Sequence, residues 1–190
     1  MSIQIALIYG STREGRFCDI LADWAISEIN KQGEFAVDAI DPAVLALPDR
    51  HSREPNPGVV ALRQRVGKAD GFVIVMPEYN HSYPAALKFL IDSVYEQWQA
   101  KPVAFVSYGG VSGGLRAVEH LRLVFAELHA VALRDTVSFS NVWTQFGDGG
   151  KLLQPDSARK SMALMLNRLK WWATALRRAR DAMPYERAAA

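Results

Sequence analysis

Short apolar runs and helical stripes take turns along this chain. Ile3 to Tyr9 is apolar at nearly every position and predicts a first strand. From Arg16 to Lys31, the residues Phe17, Ile20, Leu21, Trp24, Ala25 and Ile29 recur at three- and four-residue steps, the spacing of one helix face. Gly33 supplies the stop. Phe35 to Ile40 alternates, with Phe35, Val37 and Ala39 pointing one way, and predicts a second strand. Asp41 to Pro57 carries four prolines, which makes it a long loop rather than an element. Gly58 to Lys68 predicts a short helix with Val59, Leu62 and Val66 on one face. Gly71 to Met76 is apolar without a break, as in a central parallel strand covered on both sides. Tyr83 to Tyr95 predicts a helix, with Pro84 where a helix start tolerates it. Pro102 to Ser107 is a fourth strand, Leu115 to Leu128 a fourth helix and Ala130 to Val137 a fifth strand. A polar loop from Asn141 to Pro155 leads to a last helix, capped by Asp156 and ending near Arg180.

Strict alternation of strand and helix implies an α/β protein: a parallel sheet with helices on both faces and right-handed crossovers. Five strands favour a three-layer, flavodoxin-like arrangement in the order 2-1-3-4-5. In such a sheet a ligand sits beyond the carboxyl ends of the strands, where strands one and three diverge. The loops after strands one, three and four are therefore where the chemistry should lie.

At 190 residues the chain is expected to be one domain spanning 1–190, with a flexible tail after about residue 181. A net charge of +2, scattered rather than blocked, excludes a nucleic-acid binder from the expectation. The N-terminus lacks a signal-peptide layout, and no apolar run approaches the ~20 residues that span a membrane. A cytoplasmic protein is expected. The one cysteine, Cys18, precludes an intrachain disulfide and reads as a small buried hydrophobe. Four histidines and this cysteine show no metal-ligand spacing, so no metal is expected.

The loop after strand one is Gly10-Ser11-Thr12-Arg13-Glu14-Gly15-Arg16. A strand that feeds a polar turn and then a helix aims backbone N–H groups and a helix dipole at one point, which suits a phosphate. Ser11, Thr12, Arg13 and Arg16 add hydroxyl and guanidinium donors. The turn is neither a P-loop, because Arg16-Phe17 stands where Lys-Ser/Thr belongs, nor a dinucleotide fingerprint, because Thr12 replaces the second glycine. A plain turn with two solvated arginines is the bland alternative. The loop after strand three, Pro77-Glu78-Tyr79-Asn80-His81-Ser82-Tyr83-Pro84, is fenced by prolines that hold its remaining amides in place. Tyr79 and Tyr83 could stack on a flat ligand and Asn80 could bond its edge, or Asn80 and Ser82 could simply cap an exposed turn. His81 reads as solvated. The loop after strand four, Ser107-Tyr108-Gly109-Gly110-Val111-Ser112-Gly113-Gly114, lets backbone approach a ligand closely.

Together, Gly10-Ser11-Thr12-Arg13, Pro77-Glu78-Tyr79-Asn80 and Tyr108-Gly109-Gly110 through Gly113-Gly114 resemble the NAD(P)H-dependent FMN reductases, a flavodoxin-like family. The resemblance extends over nearly the whole chain, including Phe146 to Leu152. It implies that Ser11, Arg13, Arg16 and Phe17 hold the FMN phosphate. It implies that Pro77, Glu78, Tyr79 and Asn80 border one side of the flavin ring, and Ser107, Tyr108, Gly109 and Gly110 the other. Cys18 departs from the small or polar residue usual in the family. The resemblance further implies NADPH or NADH as co-substrate, a small-molecule electron acceptor and a homodimer or homotetramer. Apolar Leu87, Phe89, Leu90, Ile91 and Val94, spread around one helix, also point to a partner surface.

The expected function is transfer of hydride from NAD(P)H to FMN, then of electrons to a quinone, azo compound, free flavin or similar acceptor, in ping-pong order. A non-enzymatic flavin-binding or electron-carrier protein is the main alternative. A flavin-free nucleotide or hydrolase-like enzyme is a second one.

Overall fold

A computed structural model describes residues 2–185 except Arg53 and Pro55. Strands β1 (Ile3–Tyr9), β2 (Phe35–Ile40), β3 (Gly71–Pro77), β4 (Pro102–Gly109) and β5 (Val131–Ser140) form one sheet in the order 2-1-3-4-5, all parallel. This is the flavodoxin-like arrangement. Helices α1 (Cys18–Lys31), α2 (Pro57–Lys68), α3 (Ala85–Asp92), α4 (Leu115–Glu127) and α5 (Pro155–Ala182) cover it.

Alternate residues of β3 supply both cores. Val73 and Val75 face the layer of α1 and α5 with Leu21, Ala25, Met165 and Leu169. Phe72, Ile74 and Met76 face the layer of α2, α3 and α4 with Leu62, Leu90, Trp98 and Phe125. Every residue of β3 and β4 is buried, so these strands can be apolar throughout.

Several element ends differ from the sequence expectation, each for a visible reason. Helix α1 opens at Cys18, not Arg16, because Gly15 takes a positive φ of 63° and Phe17 stands at the cap. Helix α3 ends at Asp92 rather than Tyr95. There the buried indole of Trp98 donates from Nε1 to the carbonyls of Ile91 and Val94, at 3.1 and 3.0 Å, and draws the chain into a separate 3₁₀ turn, Glu96–Trp98. Strand β5 runs on to Ser140, because Tyr108 and Gly109 pair with Phe139 and Ser140. At α5, Pro155 takes the first helical position, so Gln154 stands at the cap and Asp156 in the first turn. The polar loop after β5 holds two 3₁₀ turns, Val142–Thr144 and Asp148–Gly150.

Within this single chain Leu87, Leu90, Ile91 and Val94 are buried, and Phe89 stacks on His51 at 4.2 Å. The apolar faces of α3 are thus satisfied without a second copy. At the chain's end, Tyr185 Oη lies 2.9 Å from His129 Nδ1. The rest of the tail for which flexibility was expected, residues 186–190, lies outside the described residues. No described helix is long and apolar enough to cross a membrane, and the described residues hold no cluster of three or more metal-ligating side chains.

Candidate active site

Gly10 lets β1 end close against β3: a Cβ there would run into the Met76 side chain, and the Gly10 amide donates to Val75 O at 2.7 Å. From this point the first loop turns outward. The amides of Thr12, Glu14 and Gly15 find no acceptor among the described residues, and α1 begins without a side-chain cap. These N–H groups and the helix dipole create a positive rim.

The two arginines of this loop have different environments. The Arg16 side chain is only 8% exposed. Its Nη1 and Nη2 grip both oxygens of Asp41, at 2.8 and 2.5 Å, Nε bonds Asp19 at 2.7 Å, and Nη1 also donates to the Ser11 carbonyl. Burial pushes the Asp41 carboxyl up, but the Arg16 pair and the Ala43 amide outweigh it and hold it below the ordinary range. Arg13 is exposed, has no carboxylate partner among the described residues and lies over the Tyr79 ring, 3.6 Å from its centroid. Arg16 therefore builds the loop, while Arg13 keeps a free charge at its rim.

Tyr79, Asn80, His81 and Ser82 form a tight turn closed by two backbone bonds, Tyr79 N to Ser82 O at 2.9 Å and Ser82 N to Tyr79 O at 3.1 Å. Both central residues have positive φ, 49° at Asn80 and 72° at His81. The Ser11 hydroxyl, fully buried, lies 2.8 Å from Tyr79 Oη and joins the first loop to this one.

Glu78 ties the same turn to the glycine loop. Its side chain is 7% exposed. It accepts from Ser112 Oγ at 2.7 Å, from the Arg116 amide at 3.2 Å and from Arg116 Nη1 at 3.0 Å. Burial pushes the carboxyl up, but the Ser112 and Arg116 hydrogen bonds and the Arg116 charge bring it below its ordinary value, so it stays ionised. At the start of α4, Gly114 has φ 83°, and a Cβ there would sit 2.8 Å from that of Ser107. Only glycine lets the loop pass so close to β4.

The three loops enclose a cavity of about 360 Å³. Arg13, Arg16, Phe17, Pro77, Glu78, Tyr79, Tyr108, Gly109 and Gly110 line it, all of them expected from the sequence. Three expected residues do not line it. Ser11 lies behind Tyr79, Asn80 occupies the exposed turn, and Ser107 is buried beneath the glycine loop, where its hydroxyl donates to Gly113 O at 2.8 Å. Burial pushes the Tyr108 phenol far up, so it remains neutral. The Cys18 thiol, pushed up to about 11 by burial, donates to Val75 O at 3.2 Å and is not a thiolate at neutral pH. Val142 and Trp143, from the turn after β5, also line the cavity. The sequence reading passed over them because they fall in a polar stretch after a strand remote from the switch point. The exposed tryptophan was the only signal there.

Comparison with known proteins gives the same picture. The chain is 34% identical over 122 residues to an NAD(P)H-dependent FMN reductase of Schizosaccharomyces pombe, a match covering 58% of this chain and 60% of that protein. It is 34% identical over 141 residues to a quinone reductase of Escherichia coli K12, covering 69% and 73%. A flavoenzyme NAD(P)H:(acceptor) oxidoreductase from Paracoccus denitrificans shares the fold, with a TM-score of 0.74 at 20% identity over 90% of this chain and 98% of that one. A family model described as NADPH-dependent FMN reductase matches residues 3–144. That match takes in the whole sheet and the three loops of the cavity, so the chain belongs to the NADPH-dependent FMN reductase family, a family of oxidoreductases.

Proposed function

We propose that this chain takes hydride from NADPH or NADH onto FMN and delivers the electrons to a quinone, azo compound, free flavin or similar small acceptor. The observation that carries this reading is the convergence of the loops after β1, β3 and β4 on one cavity, inside the segment that the family model matches. The residues fit the cofactor. Unpaired amides and the free Arg13 guanidinium suit a phosphate, and a glycine backbone beside aromatic side chains suits a flat ring.

When bound, FMN supplies the redox chemistry, and the protein supplies position and electrostatics. In this reading Arg13 and Phe17 hold the phosphate, Ser11 acts from behind them by meeting Tyr79 Oη and accepting from the Arg13 amide, and Arg16 fixes the loop that carries them. Pro77, Glu78 and Tyr79 border one side of the ring, with Asn80 shaping the exposed turn beside them, and Tyr108, Gly109 and Gly110 border the other, with Ser107 acting through the Gly113 carbonyl. Ionised Glu78 keeps the two loops at a fixed separation. No side chain acts as a nucleophile. Reductant and acceptor use the one cavity in turn, which makes turnover ping-pong. The assembly in this reading is a cytoplasmic homodimer or homotetramer. Leu115 and Leu123 of α4 and Tyr95 after α3, all exposed in the single chain, support such an interface.

Anaerobic mixing of the FMN-loaded protein with NADPH or NADH tests the reading. The flavin absorption bands should bleach without an acceptor, and double-reciprocal plots should be parallel. Bound FMN that stays oxidised would favour an electron carrier or a passive flavin-binding module. Intersecting lines would mean a ternary complex. Failure to bind FMN would remove the reading altogether.

A further inference from the structure

We propose that Trp143 is an acceptor-facing wall of the cavity and sets a preference for planar acceptors of two or more fused rings; this rests on the cavity being the flavin site described above. Trp143 comes from none of the three loops at the switch point. It stands on the 3₁₀ turn after β5, lines the cavity mouth and leaves 62% of its surface in solvent.

A large aromatic side chain left exposed on a loosely held loop needs no special reading. The turn that carries Trp143 is held tightly. Val142, the residue before it, is buried. Asn141 adopts φ 47°, a conformation uncommon outside glycine, and its amide donates to Gly110 O at 2.9 Å. Thr144 returns both its amide and its hydroxyl to Asn141 O, each at 2.9 Å, and Gln145 Nε2 donates to Ser140 O at 2.6 Å. A backbone over-determined in this way costs free energy to hold in place, and such segments cluster at binding sites. Here it seats Val142 in the core and presents the next residue, the indole of Trp143, to solvent beside the cavity.

The placement is also matched to the glycine loop. A Cβ built on Gly110 would lie 3.9 Å from Trp143 Cη2, so the indole edge rests over bare backbone. The Gly110 carbonyl accepts from both Gly113 and Asn141, which fixes the indole's base relative to that loop. Elsewhere in the lining, Arg13 already covers the Tyr79 ring and Glu78 is fully engaged. Tyr108 is buried and Phe17 is half-buried with its ring set edge-on to Phe146 at 5.4 Å, so Trp143 presents the most exposed aromatic ring of the lining to a flat ligand. Stacking grows with shared ring area, so a fused two-ring quinone gains more from it than a single ring.

The test uses FMN-loaded protein without NAD(P)H, so that quinones bind but do not turn over. Calorimetry measures the Kd of menadione, with two fused rings, and of duroquinone, with one, for wild type, Trp143→Ala and Trp143→Phe. A separate fluorescence titration measures FMN affinity of each apoprotein. Trp143→Ala should weaken menadione about tenfold and duroquinone less than about threefold, and Trp143→Phe should restore menadione to within about threefold of wild type. Unchanged menadione affinity in Trp143→Ala would overturn the proposal. So would equal losses for both quinones, a loss of FMN affinity as large as the loss for menadione, or no rescue by phenylalanine. Wild-type protein that binds no FMN removes the underlying reading and the Trp143 assignment with it. Wild-type protein that binds FMN, with a Trp143→Ala variant that binds menadione as well as wild type, overturns this proposal alone.

Discussion

The Ser11 hydroxyl meets the Tyr79 phenol at 2.8 Å between the loops that follow the neighbouring strands β1 and β3. It joins two loops that are 68 residues apart in sequence, and both oxygens could donate. Ser11 Oγ also accepts from the Arg13 amide at 3.3 Å. One contact therefore shapes the first loop, orients the ring on which Arg13 rests and closes the back of the cavity.

Tyr79→Phe should expose the value of that contact. The fold persists, because the ring itself stays in place. Loss of a hydrogen bond with a buried hydroxyl costs about 0.5–1.5 kcal/mol. Urea unfolding should show a loss of that size, and FMN titration should show weaker binding. Unchanged values in both would mean that Ser11 and Tyr79 are already satisfied by water.

The two arginines of the first loop should behave oppositely. Arg13→Ala should leave the urea midpoint near wild type, since Arg13 is exposed and carries no ion pair among the described residues. Its FMN affinity should fall by about 1.5–3 kcal/mol, the value of a hydrogen bond to a charged group. Arg16→Ala strands Asp41, whose oxygens it grips at 2.8 and 2.5 Å, and should destabilise the fold by about 3 kcal/mol. The same two assays, run on both variants, separate ligand binding from scaffold. Equal stability of the two variants would contradict the division.

Gly114→Ala should strain the start of α4. The residue has φ 83°, and its new Cβ would press on Ser107 at 2.8 Å. A cost of about 1–3 kcal/mol is expected, which lowers Tm by roughly 2–10 °C in a chain of this size. The Arg116 amide would also shift relative to Glu78, so FMN binding should weaken in parallel. A wild-type melting curve for the variant would show that the loop has room the structure denies it.

Acid should unfold the protein partly through Asp41 and Glu78. Both carboxyls lie below their ordinary values in the folded state, because hydrogen bonds from Arg16 to Asp41, and from Ser112 and Arg116 to Glu78, outweigh burial. Their unfolded values are near 4. The unfolded chain then takes up protons first as pH falls, so stability is full above about pH 4 and is lost as pH drops through the folded values. Glu78→Gln should give a shallower loss of stability below about pH 4 than wild type, measured as urea midpoints from neutral to acid pH. Superimposable slopes would mean that Glu78 titrates alike in both states.

Much of this molecule could be read before folding it. The unbroken apolar run of Gly71 to Met76 marks a strand buried on both faces and Pro102 to Ser107 marks a fourth strand; both strands are found there, each buried throughout. The alternation of elements led to the 2-1-3-4-5 order, and that order brings the loops of Gly10, Pro77 and Tyr108 to one cavity. These features follow from local periodicity and from the handedness of crossovers, which a chain carries in short windows. What lay beyond the sequence depends on distances between remote segments. Arg13 and Arg16 look alike in one dimension; only the folded chain brings Asp41 to Arg16 and leaves Arg13 over Tyr79. Helix α3 has the pattern to continue, but the indole of Trp98 draws its last carbonyls into another turn. Trp143 sits in a polar stretch with no periodicity, and it reaches the cavity because β5 runs to Ser140 beside Gly109. The sequence alone determined which stretches form strands and helices and in what order they stack, because backbone geometry imposes those periods locally. Tertiary structure decided which partner each polar or aromatic side chain meets, because hydrogen bonds and ion pairs act over a few ångströms that exist only once the sheet has closed.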